Sequence, residues 1–135
     1  MALVNIDGEA VDIQQPAEKV FNFLSDFNNH EQLMPPQATN WESTADDCKF
    51  TLNGMASIGM KFDNKTPNSK ITIVSNGKVP FDFKLEIDIN ETGDTSCSGQ
   101  MKFEADLNPM MKMMVAGPME KFFNYLTSQL QKVEY

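Results

Sequence analysis

The chain has 135 residues, which suits one domain spanning residues 1–135, and its 41% apolar composition supplies a core that needs neither metal nor disulfide to hold it. With 19 acidic against 11 basic residues the net charge is −8, and arginine is absent from the sequence. Nucleic acid and anionic bilayers are therefore not expected partners, because like charges repel and the bidentate guanidinium fork is missing.

Residues Met1 to Gln15 lack the basic start and apolar run of a targeting peptide. No stretch reaches the roughly 18 apolar residues of a membrane span. The expectation is a cytoplasmic protein without membrane insertion, in which Cys48 and Cys97 remain reduced, buried thiols. Val4, Ile6 and Ala10, then Val11 and Ile13, alternate with a slip of parity near Gly8, so the first strand carries a bulge or a bend. Pro16 then opens a helix whose Ala17, Val20, Phe21 and Leu24 share one face. Asp26 caps a second short helix that ends before Pro35-Pro36.

From Gln37 to Asp106 the period becomes two. Cys48 to Leu52, Ala56 to Phe62, Lys70 to Ser75, Phe81 to Ile89 and Cys97 to Leu107 read as strands of an antiparallel meander, about six in number after the first. Turn residues separate them at Asp46-Asp47, Asn53-Gly54, Pro67-Asn68, Asn76-Gly77 and Thr92-Gly93-Asp94. Helical period then returns, with Asn108 as cap and Pro109 in the first turn. Its apolar stripe is read as Met111, Met114, Val115, Pro118, Phe122, Leu126 and Val133, over some 24 residues and with a kink expected at Gly117-Pro118.

This order of elements, with Pro16 to Asp26, Leu33-Met34-Pro35 and the proline-bearing last helix, resembles the helix-grip superfamily of START domains, birch-pollen-allergen-like proteins and polyketide cyclases. The resemblance implies an α+β fold: a curved seven-stranded antiparallel sheet wrapped around a long C-terminal helix, with two short helices between strands 1 and 2. It also implies an apolar cavity between sheet and helix that receives a lipid, sterol, polyketide or quinone-like molecule. It carries no catalytic residue onto this chain.

Methionine is the compositional anomaly, with 10 in the chain, and its flexible thioether suits an adaptable apolar wall as well as an irregular core. The residues expected to line a ligand site are Met34, Trp41, Met60, Phe81, Phe83, Met101, Phe103, Met111, Met114, Val115 and Phe122. Trp41 would stack on a ligand or serve as a structural residue at the sheet edge. Met55 falls on a strand, and Met113 points away from the helix stripe. Gln129, inside that stripe, would need a hydrogen-bond partner if buried.

His30 is the single histidine, and its polar neighbours place it at the surface. One histidine and two distant cysteines give no zinc spacing, and no phosphate-binding or dinucleotide motif is present, so neither cofactor nor metal is expected. Asp82, Glu86, Asp88, Glu104 and Asp106 take the polar parity of their strands and belong on the outer face. The leading function is binding or transport of a hydrophobic small molecule, by a chain for which a second copy is an allowed partner. The alternatives are a polyketide cyclase or dehydratase, in which positioning supplies much of the rate, and a protein-interaction module with a collapsed cavity and an apolar patch near Met110 to Met114.

Overall fold

A computed structural model describes residues 2–52, 56–77, 79, 81–133 and 135, apart from the side chains of Ala2, Ala56 and Val115. The elements are β1 (Ala2–Asp7), β2 (Val11–Ile13), α1 (Ala17–Leu24), α2 (Phe27–His30) with a 3-10 turn (Glu31–Leu33), β3 (Ala38–Ser43), β4 (Asp47–Leu52), β5 (Ala56–Thr66), β6 (Lys70–Ser75), β7 (Phe83–Gly93), β8 (Ser96–Leu107) and α3 (Pro109–Gln129). The sheet is antiparallel in the order β1, β8, β7, β6, β5, β4, β3, and β2 continues the β1 lane along β8. It is thus seven lanes wide, packed against a long C-terminal helix.

The parity slip in the first lane is a bulge. Asp7 pairs with Lys102 and Val11 with Gly99, so residues 8–10 oppose only Gln100 and Met101. Three of its backbone groups find partners: Gly8 N–H donates to Met101 O at 2.9 Å, Gln100 Nε2 to Gly8 O at 2.8 Å, and Glu9 N–H to Asn124 Oδ1 at 2.8 Å. Asn124 belongs to α3, so the helix itself clamps the break in the strand.

Local signals set the helices. Asp26 accepts from Asn28 N–H and Asn108 from Met111 N–H, each in the capping position its sequence predicts. In α1, Ala17, Val20, Phe21 and Leu24 are buried. On β7, Phe83, Leu85, Ile87 and Ile89 all face inward, and on β8 every second residue from Cys97 to Leu107 does so. The outer parity carries the charges, with Lys70 3.3 Å from Glu86 and Lys102 3.2 Å from Asp88. Cys48 and Cys97 are free and buried.

Three boundaries differ from expectation. Pro16 is the cap of α1 rather than its first helical residue. Phe81 precedes β7, because pairing with β8 starts at Phe83 opposite Ala105. The buried face of α3 is not the expected stripe: Pro118 is exposed and Gln129 only half-buried, whereas Phe122, Phe123, Leu126, Thr127 and Leu130 are buried. At about 100° per residue the face they define lies some 150° away from Met114. The Asn53-Gly54 turn and Met55 fall outside the described residues.

Gly59 is where β5 meets the backbone after β6: Asn76 N–H donates to Gly59 O at 2.9 Å, and a Cβ at Gly59 would overlap the Asn76 carbonyl. Gly59→Ala is expected to destabilise the protein by about 1–3 kcal/mol through forced backbone displacement. Urea denaturation measures this, and a loss under about 0.5 kcal/mol, the scale of an ordinary surface change, would contradict the close approach.

Candidate functional site

An unbroken series of aromatic rings crosses the space between sheet and helix. Trp41 stacks on Phe50 at 5.5 Å, and Phe50 on Phe122 at 6.1 Å. Phe122 meets Phe123 at 5.4 Å, Phe123 meets Phe103 at 5.0 Å, and Phe103 lies 5.7 Å from Phe83 and 6.3 Å from Phe81. These separations are those at which ring edges and faces attract. The series therefore links β3 and β4, by way of α3, to β8 and β7.

Trp41 reaches it through a second bulge. Thr39 pairs with Thr51 and Glu42 with Lys49, so Asn40 and Trp41 oppose Phe50 alone, and Asn40 takes φ 55°, a left-handed conformation that asparagine tolerates. The indole Nε1–H donates to Ser43 Oγ at 3.0 Å, and that hydroxyl donates to Asn28 Oδ1 at 2.6 Å. The ring is thereby tied to α2 while remaining half-buried.

Of the residues expected to line a site, Trp41, Phe81, Phe83, Phe103 and Phe122 belong to this series. Met60 and Met101 share the inner face but are enclosed at 4% and 1% exposure. Met34 and Met111 are half-buried against the core. Met114 is a correction, since it is 65% exposed on the far side of α3. The side chain of Val115 lies outside the described residues. Phe50 and Phe123 join the rings without having been singled out. Phe123 was concealed by Thr127, a polar residue on the buried face whose hydroxyl donates to Phe123 O at 2.7 Å and so needs no water.

His30 is the second correction. It is buried at 3% exposure, with Nε2 donating to Leu24 O at 2.8 Å and the ring 4.8 Å from Phe27. Phe27 stacks on Phe62 at 4.1 Å, and Lys65 Nζ lies 4.1 Å above Phe62 while donating to Ser25 O at 2.9 Å. Polar neighbours in sequence misled because they turn outward from α2 while His30 completes its inner side. Desolvation pushes the imidazole down to about 4, with Lys65 adding to the effect and the Leu24 hydrogen bond and Asp26 opposing it. Burial also pushes the Cys48 thiol up to about 12. Among the described residues, no group of three or more His, Cys, Asp or Glu side chains is arranged to hold a metal, and no helix is long and apolar enough to cross a membrane.

No protein-family model matches the chain, and no curated protein matches it significantly. Solved structures do share its fold. A START superfamily protein from Mycobacterium smegmatis superposes with a TM-score of 0.69 at 13% identity, covering 98% of this chain and 99% of that one. The Zhui aromatase/cyclase from Streptomyces gives 0.73 at 10% identity, over 97% and 95% of the two chains. Norcoclaurine synthase from Thalictrum flavum, solved with dopamine and hydroxybenzaldehyde, gives 0.71 at 12% identity, over 99% and 90%.

The unfolded imidazole gains its proton near pH 6.5 and the folded one only near 4. The stability that neutral His30 provides is therefore complete above pH 6.5 and is lost as pH falls from there to about 4, by an amount on the order of 3 kcal/mol. Chemical denaturation across this window should show His30→Gln with a flattened profile. An unaltered slope would contradict a buried, neutral imidazole.

Proposed function

With the helix-grip fold of the START superfamily as the frame, we infer that the protein binds an apolar small molecule against the ring series between the sheet and α3. The observation that carries this is the series itself: seven touching rings, from Trp41 to Phe81, whose two ends are half-buried and hence reachable from solvent. Half-buried Met34 and Met111 add side chains that repack at small cost around guests of different shape. Segment Asn28 to Pro36 is the gate in this scheme, since Asn28 holds Ser43 and, through it, Trp41. The neighbour solved with dopamine and hydroxybenzaldehyde is consistent with aromatic guests in this fold. Cyclase chemistry would need an acid or base beside the rings, whereas the buried imidazole of His30 is engaged by Leu24, Phe27 and Phe62 instead.

Trp41 is the only tryptophan, so its emission reports on the site directly. Titration with a fused-ring aromatic, a long-chain fatty acid and a sterol is expected to yield at least one compound that shifts this emission and stabilises the fold. A ligand at 100 times its Kd stabilises by about 2.7 kcal/mol, and Phe122→Ala should weaken the same compound's binding. If none of the three changes either emission or melting temperature, the binding function is wrong.

A further inference from the structure

The first half of α3 poses a problem that packing does not answer. Four of the five residues from Met110 to Met114 are methionine. Three of them stand in solvent: Met110 at 71% exposure, Met113 at 87% and Met114 at 65%. Side chains this exposed stabilise nothing by burial, and they lie opposite the face that Phe123 and Leu130 bury. What they share is the thioether sulfur.

Positions 110, 113 and 114 are related as i, i+3 and i+4, so Met113 and Met114 flank Met110 on one side of the helix, each with its Cβ about 5–6 Å from that of Met110. Unbranched side chains of this length can bring three sulfurs onto one point. Thioether donors select soft cations, copper(I) above all among biological ions. We propose that Met110, Met113 and Met114 form a surface site for copper(I), with three thioether ligands presented by one turn of α3.

The surroundings of the cluster favour this. Gly117 continues the same stripe, and a side chain there would meet nothing within 4 Å, so approach to the sulfurs is open. Lys112 lies about 150° around the helix from the cluster's centre, at 100° per residue. At the helix start Pro109 has no N–H and Met111 N–H is engaged by Asn108 Oδ1, so two of the groups that make up the positive end are absent or paired. A net charge of −8 favours cations over the whole molecule. The cysteines do not compete in the folded protein, since both are buried and burial keeps their thiols protonated.

The test is anaerobic titration of the intact protein with copper(I) buffered by a chromophoric chelator, followed by NMR of methionine labelled with 13C at the methyl group. One equivalent should leave the chelator, moving the methyl signals of Met110, Met113 and Met114 and leaving those of buried Met60 and Met101 in place. The variant M110L/M113L/M114L keeps helix propensity, so its circular dichroism should be unchanged. Its affinity should fall by at least about tenfold, a loss that even an outer-shell change at a metal site can produce. Oxidation by hydrogen peroxide, which converts each thioether to a sulfoxide and releases water, should abolish uptake likewise. Failure of the protein to draw copper(I) from the chelator, or equal uptake by the triple variant, would overturn the proposal.

Discussion

Phe123 lies 5.0 Å from Phe103, and the side chains of Leu130 and Ile13 close over Gly99, so the second half of α3 is seated in the inner face of β8. Each large side chain buried there contributes about 1.5–3 kcal/mol. The seat also has a polar lock, in which Asn124 accepts from Glu9 N–H at the bulge between β1 and β2. Gly8 leaves room for it, since a Cβ there would come within 2.9 Å of Asn124 Oδ1 and 3.0 Å of Met101 O and press on the lock. The strand slips by one residue, and β8 and the helix between them satisfy Gly8 and Glu9 N–H at the slip.

This docking divides α3 into two parts with different work. From Phe122 to Leu130 the helix is core, and its two adjacent phenylalanines join the rings of β4 to those of β8. Among the described side chains of α3 before Phe122, Met111, Ala116 and Met119 pack against the core, each half-buried. The helix is therefore firmly held in its second half and more sparsely contacted in its first. α1, α2 and the stack of His30, Phe27 and Phe62 support the sheet through satisfied, desolvated contacts.

The sheet was legible because period two is a backbone property: side chains on a strand alternate whatever their neighbours do. That is why β7, β8 and the bulge near Gly8 could be placed from residues alone. Capping was legible for the same reason, since Asp26 and Asn108 act on N–H groups two or three residues away. The rotation of α3 was not, because methionine is apolar enough to belong on either face and Thr127 hides its hydroxyl on Phe123 O. His30 was misplaced for a related reason, since a four-residue helix gives too few neighbours to define an inner side. Phe83 and Phe103 were placed on the inner face by their parity. Phe50 and Phe123 gained their place only from contacts between distant elements.

The claim on which the account rests is that an apolar guest sits along the rings from Trp41 to Phe81. Diffraction from crystals of protein purified without added ligand, and again after soaking with the tightest compound found, tests it most directly. Continuous non-protein density lying against Trp41, Phe122 and Phe103 in the soaked crystals is the expected result. Maps in which Trp41, Met111 and Phe81 close onto one another in both crystals, filling the space with the protein's own atoms, would contradict it.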